Sequence, residues 1–157
     1  MGEHGPLRTE VDGGVVVVTI DHPPTNLVDG AIVMGLMGVL DEVEPDESAK
    51  VLVFRSADPD FFLMHGDVEL LVAIPAGTHQ PVDAPNVAAA LFQRLSRSRL
   101  VSIGLLDGAA RGGGCELLCA LDFRSASPRS VIGQPEVPMG ILPVSYTHLT
   151  LPTNREV

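Results

Sequence analysis

Apolar and polar positions along this chain change period several times, and each change marks an element. Val15 to Ile20 is a β-branched run behind the turn signal Asp12-Gly13-Gly14, so it reads as a strand, with Leu7 to Val11 as its hairpin partner. Residues 1–10 otherwise read as a polar, frayed start. His22-Pro23-Pro24 ends the strand, because proline cannot donate to a ladder. Ile32, Leu36, Val39, Leu40 and Val43 then recur at helical spacing, with Asn26 or Asp29 as cap and Pro45 as stop. Val51 to Phe54 is a second buried strand. Asp67 can cap a helix through Val68, Leu70, Leu71 and Ile74, and residues 75–86, rich in proline, form an irregular connection. Val87 to Leu95 places Leu91, Phe92 and Leu95 on one helical face. Leu100 to Leu106 is a third strand, and it runs toward Gly112-Gly113-Gly114. A helix through Glu116, Leu117, Leu118 and Leu121 follows, then short strands at Phe123 to Ala126 and Val131 to Gly133. Such alternation predicts an α/β fold with helices against a sheet.

Composition narrows the function classes. Apolar residues make up 45% and aromatics 4%, so the core is aliphatic. The net charge of −10, from 20 acidic and 10 basic residues, repels phosphate backbones and anionic lipid, so neither nucleic acid nor membrane is an expected partner. No signal-peptide pattern opens the chain, and no apolar run suits a membrane span, so a cytoplasmic location is expected. Carboxylates crowd the end of the first helix from Asp41 to Glu47, and Arg94, Arg97 and Arg99 the end of a later one. Both read as solvated faces rather than sites. Cys115 and Cys119 share a helical face and lack the further ligands a zinc site needs, so they read as small buried residues and no metal is expected.

Candidate chemistry lies between Gly104 and Pro143. The triple glycine lets backbone approach a ligand closely, and at a helix start its N–H groups and the dipole favour a negative oxygen. It has neither the dinucleotide-binding spacing nor the Gly-Lys-Ser/Thr of a P-loop. Glu116 falls in the first turn of an otherwise apolar helix, and Glu136 lies among Pro135, Val137, Pro138 and Met139. Carboxylates in such surroundings are costly unless used or paired, and proton transfer at a carbonyl compound is one such use.

The block Asp107-Gly108-Ala109-Ala110-Arg111-Gly112-Gly113-Gly114-Cys115-Glu116-Leu117 resembles the enoyl-CoA hydratase/isomerase (crotonase) superfamily. So do Val16 to Pro23, Val51 to Phe54, Phe61 to Asp67, Ala120 to Ser127 and Gly133 to Pro143. The resemblance implies a spiral of β-β-α units, completed in the family by C-terminal helices and assembled as homotrimers or hexamers. It runs from about Val11 to Pro143 and implies a core over residues 1–143, with residues 144–157 expected to be a non-family tail, artefactual or disordered, and the C-terminal helical region missing. It also implies an acyl-CoA thioester substrate, whose coenzyme A is part of the substrate rather than a cofactor.

Carried over residue by residue, the oxyanion-hole N–H groups map to Gly66 and Gly113, and the two hydratase glutamates to Glu116 and Glu136. Met64, His65, Asp67, Gly112, Gly114 and Pro135 map around the substrate. His65 stands where the family has a small residue, and Leu63-Met64 replaces the common Cys-Ala. An imidazole there either reshapes the acyl pocket, joins the acid–base work or turns toward the loop. The implied activity is reversible hydration of a 2-enoyl-CoA. Other chemistries of the family (isomerisation, decarboxylation, hydrolysis) and an inactive fragment are the alternatives.

Overall fold

Gly13 and Gly14, at φ 54° and 87°, close a two-residue hairpin whose twist matches its strands. It joins β2 (Leu7–Asp12) to β3 (Val15–Ile20), in register from Leu7↔Ile20 to Asp12↔Val15. The computed structural model describes residues 2–66 and 87–136, together with Pro138 and Gly140. Asp67, the helix read over Val68 to Ile74, the connection at 75–86 and the tail at 144–157 lie outside the described residues.

The start of the chain is not frayed. Glu3–His4 forms β1 on the outer side of β2, and the Gly2 N–H donates to Thr9 Oγ1 at 2.9 Å. Leu7 is fully buried and His4 Nε2 meets Glu42 Oε2 at 2.8 Å, so burial and polar contacts hold a segment whose composition suggests none.

The first helix, α1 (Gly30–Val43), is capped by Asp29, whose Oδ1 accepts from the Ile32 N–H at 3.0 Å. Asn26 has a different task. It is 1% exposed, sits at φ 53°, and its Nδ2 donates to Ser56 Oγ, Phe61 O and Phe62 O at 2.8, 3.0 and 3.2 Å. Its Oδ1 accepts from the His22 N–H at 2.7 Å. The acidic end of α1 is also not simply solvated. Arg94, on α2 (Val87–Ser96), forks onto Glu44 Oε2 at 2.7 and 3.0 Å and reaches Asp41 Oδ1 at 2.7 Å. Arg99 donates to Glu44 O, Ala49 O, Val43 O and Asp46 O, supplying the positive end that the α1 carbonyls call for.

The main sheet runs β1-β2-β3-β4-β6-β8, with β4 at Val51–Ser56, β6 at Val101–Leu106 and β8 at Phe123–Ala126. From β3 onward its neighbours are parallel. A smaller parallel sheet, β5-β7-β9, is built from Phe61–Leu63, Ala109–Arg111 and Val131–Gly133. The mixed α/β architecture thus forms as expected, with β7 as an added strand too short to announce itself. The core is aliphatic with Phe54, Phe62 and Phe92 at its centre. Helix α3 (Gly113–Ala120) packs Leu118, and its C-cap Leu121, against Gly104 of β6. Its final carbonyls, Leu118 O and Leu121 O, accept from Arg124 at 2.8 and 2.9 Å. Among the described residues no helix is long and apolar enough to cross a membrane.

Candidate active site

The three strands of the small sheet run parallel, so their carboxyl ends open at one edge. That single topological fact gathers the motifs. β5 delivers Met64-His65-Gly66, β7 delivers Gly112-Gly113-Gly114, and β9 delivers Gln134-Pro135-Glu136. Two main-chain bonds tie these ends together: the Gly112 N–H donates to Gly133 O at 3.0 Å, and the Gly114 N–H to Met64 O at 3.2 Å. Ligands commonly bind at the carboxyl ends of parallel strands.

Two glycines are forced here. Gly112 adopts φ 53°, and a methyl group on it would stand 2.3 Å from Glu136 Oε1 and 2.8 Å from His65 Cβ. A methyl on Gly114 would stand 1.8 Å from Leu63 O, so only glycine lets α3 start this close to β5. Gly113 is the first residue of α3, and its N–H belongs to the set that a helix cannot satisfy from within.

Gly66 pairs with Val28 in an isolated parallel bridge, and the Val28 N–H donates to His65 O at 3.1 Å. The Val28 side chain reaches to 3.0 Å from the point a Gly113 Cβ would occupy. Val28 therefore touches both candidate oxyanion donors, Gly66 through its backbone and Gly113 through its side chain. Nothing in the sequence pattern marks it, since it is one aliphatic residue in the turn before α1.

The carboxylates converge on the same place. Glu116, 7% exposed, lies in the first turn of α3, where the dipole favours a negative group. Glu136 is half-buried, with Oε1 over Gly112, and its Oε2 is buried without a hydrogen-bond partner among the described residues. Gln134 Nε2, two residues earlier in the chain, is likewise buried and without a partner among the described residues. Buried polar atoms of this kind call for a polar ligand or water. Cys115 feels both glutamates. Its thiol is pushed up by the hydrogen bond with Cys119, by burial, and by the negative charge of Glu116 and Glu136. Cys115 is half-buried and Cys119 exposed, so the pair is not the two buried residues expected.

The structure brings together Met64, His65, Gly66, Gly112, Gly113, Gly114, Glu116, Pro135 and Glu136, whereas Asp67 lies outside the described residues. The His65 ring turns toward its own loop, with Nδ1 2.8 Å from Gly66 O.

Comparison with known proteins accords with this geometry. The family description "Enoyl-CoA hydratase/isomerase" matches residues 10–155. The alpha subunit of the fatty acid oxidation complex of Idiomarina loihiensis is 32% identical over 90% of this chain and 20% of its own length. An Arabidopsis thaliana protein named "Probable enoyl-CoA hydratase 2, mitochondrial" is 30% identical over 84% of this chain and 44% of its own length. The crystal structure of an enoyl-CoA hydratase/isomerase from Marinobacter aquaeolei superposes with a TM-score of 0.72 at 26% identity, over 89% of this chain and 55% of that one. The chain thus spans less than half the length of these two curated relatives and about half that of the solved structure. With nearly its whole length matched and its fold shared, the chain belongs to the enoyl-CoA hydratase/isomerase family.

Proposed function

We propose that this chain carries the reacting groups of an enoyl-CoA hydratase, adding water reversibly across the double bond of a 2-enoyl-CoA. The observation that supports this most is the gathering of two main-chain donors and two glutamates at one edge of the small sheet, with Glu136 Oε1 over Gly112.

The thioester carbonyl oxygen is received by the Gly66 and Gly113 N–H groups. It gains negative charge only as the enolate forms, so donors already in place act on the transition state rather than the ground state. Glu116 takes a proton from water as its oxygen bonds to the β-carbon, and the π electrons move toward the carbonyl. Glu136 gives a proton to the α-carbon as the enolate collapses. One O–H bond breaks, and one C–O and one C–H bond form, with both hydrogens supplied by water after the glutamates exchange a proton. This reading takes no cofactor and no metal, since coenzyme A arrives with the substrate. Met64, His65, Gly112, Gly114 and Pro135 line the approach, and Asp67 is assigned there by resemblance alone. A second carboxylate favours hydration over family chemistries that need a single base.

The exposed apolar side chains Phe123, Val131 and Ile132, on strands at the sheet edges, suit assembly as a homotrimer or hexamer, which sedimentation would read. The decisive experiment is hydration of crotonyl-CoA, followed by loss of the conjugated thioester absorbance. Glu116→Gln and Glu136→Gln should each lower kcat by about 10² to 10⁴-fold. Full turnover by the Glu136→Gln protein would overturn the assignment.

A further inference from the structure

We infer that Val28 is a positioning residue: its main-chain N–H, acting through the peptide between His65 and Gly66, aims the Gly66 N–H at the place where an oxyanion would sit. The catalytic meaning of this inference rests on the function proposed above, but the direction of the peptide does not.

Two neighbours flank the end of β5. On one side β7 pairs with it, and the Gly114 N–H at the start of α3 donates to Met64 O at 3.2 Å. On the other runs the turn before α1, where Asn26 O accepts from the Met64 N–H at 2.8 Å and the Val28 N–H donates to His65 O at 3.1 Å. The last of these bonds decides the direction of the Gly66 N–H. The His65–Gly66 peptide is trans. In a planar trans peptide the C=O and the N–H point opposite ways. With His65 O held toward Val28, the Gly66 N–H faces away from the turn, toward β7 and the start of α3, where Gly113 sits. The contact of the His65 ring with Gly66 O acts on the next peptide and leaves this one alone.

Val28 holds that direction because residues on both sides of it are anchored. Asn26 Oδ1 accepts from the His22 N–H at 2.7 Å, and its Nδ2 donates to Ser56 Oγ, Phe61 O and Phe62 O. Asp29 Oδ1 accepts from the Ile32 N–H at 3.0 Å, and its Oδ2 lies 2.8 Å from His22 Nε2. The Val28 N–H is thus in place before any ligand arrives, and a preset donor direction costs no reorganisation as charge develops. Gly66 needs such an outside hold, because glycine restricts its own backbone less than any other residue. The hold is made by main chain, so it does not depend on which side chain stands at 28.

The test separates the amide from the side chain. Cell-free synthesis with the hydroxy-acid analogue of valine replaces the Val28 N–H by an ester oxygen and keeps the isopropyl group, whereas Val28→Ala keeps the N–H. With ¹⁵N-labelled glycine, the signal lost in Gly66→Ala identifies Gly66 among the 16 glycines. Its order parameter should be about 0.85 in the parent protein and in Val28→Ala, and should fall below about 0.6 in the ester. With crotonyl-CoA, the ester should lower kcat about tenfold at little changed KM, since a displaced donor costs less than a deleted one. The absorbance of bound cinnamoyl-CoA moves to longer wavelength as its carbonyl is hydrogen-bonded. The ester protein should lose about half of that movement, one donor of two being misdirected, and a mere loss of stability would not change it. A Gly66 amide as rigid in the folded ester protein as in the parent, or full kcat and full spectral movement there, would refute the role. Where the ester protein fails to fold, the parent decides: deuterium exchange of its Val28 amide should be slowed at least about 100-fold, and unprotected exchange would overturn the inference. An ester that frees Gly66 in a chain that hydrates no enoyl-CoA would leave Val28 as assigned and defeat the proposed activity instead.

Discussion

Glu136 reaches over Gly112 so closely that a methyl group on the glycine would stand 2.3 Å from its Oε1. One glycine therefore does two things. Its φ of 53° turns the chain from β7 into α3, and its missing side chain leaves room for a carboxylate beside a helix start. Gly112→Ala should displace Glu136 and strain the turn together. The strain alone is worth about 1–3 kcal/mol, and displacement of the carboxylate should cost kcat at least about 10²-fold. Steady-state kinetics beside a thermal melt would separate the two effects. A variant that loses stability but keeps kcat would show that Glu136 need not sit there.

The glycine block and Glu116 are legible in the sequence because their spacing is local. Gly112, Gly113, Gly114 and Glu116 follow one another through a strand-to-helix crossing, where glycine gives backbone space and the helix start favours a negative group. What brings Glu136 and Gly66 to them is not local. The sheet β5-β7-β9 pairs residues far apart in sequence through strands of three residues each, and of these the sequence pattern marks Val131–Gly133 alone. Ala109-Ala110-Arg111 reads as nothing in particular until Phe61 and Val131 are seen flanking it. Val28 is illegible for the same reason, whereas the sequence offers Asn26 or Asp29 as the cap of α1 and Asp29 takes that place, leaving Asn26 for the turn.

Asn26 holds the turn before α1 against β4 and β5, and its main-chain O accepts from the Met64 N–H at 2.8 Å. Asn26→Ala removes the Nδ2 donor from Phe61 O and Phe62 O and places alanine at φ 53°. The expected cost is about 3–5 kcal/mol, combining lost buried hydrogen bonds with left-handed strain. Asn26→Gly removes the same bonds without that strain, so it should be about 1 kcal/mol less damaging. Chemical denaturation of both variants checks the ranking, and an equal or greater loss for glycine would show that the backbone at this turn relaxes.

Arg99 and Arg94 divide the work at the end of α1. Arg99 meets main-chain carbonyls, whereas Arg94 meets the side chains of Asp41 and Glu44. Removing Arg99 leaves part-buried carbonyls without their donor, so Arg99→Ala should cost about 2 kcal/mol. Asp41 is well exposed, which screens its share of the Arg94 cluster, so Arg94→Ala should cost about 1 kcal/mol. Added salt should weaken the Arg94 contribution and leave that of Arg99 nearly unchanged. Melting curves at two ionic strengths would read this, and equal salt sensitivity would contradict the division.

Cys115 and Cys119 lie one turn apart on α3 and share a hydrogen bond, so their ionisations are coupled, and the surroundings favour the thiolate on Cys119. Cys119 is lowered to about 6, chiefly by the hydrogen bond from the Cys115 thiol and further by the Arg124 guanidinium, against burial and the charge of Glu116. Cys115 moves up, for the hydrogen bond, burial and both glutamates oppose its ionisation. The thiolate is the nucleophile, so alkylation of Cys119 by iodoacetamide should rise through about pH 6 and level off by neutrality, with Cys115 left unmodified. A thiol lowered in the folded state stabilises the fold at high pH. The contribution of Cys119, measured against Cys119→Ala, should therefore be complete above the ordinary thiol range and vanish as pH falls through about 6. Cys115→Ala removes the donor, so the alkylation midpoint of Cys119 should move up toward the ordinary thiol value of about 8.5. Mass spectrometry of the alkylated peptide across pH measures both midpoints. Coincident midpoints in the two proteins would mean that Cys115 does not hold the Cys119 thiolate.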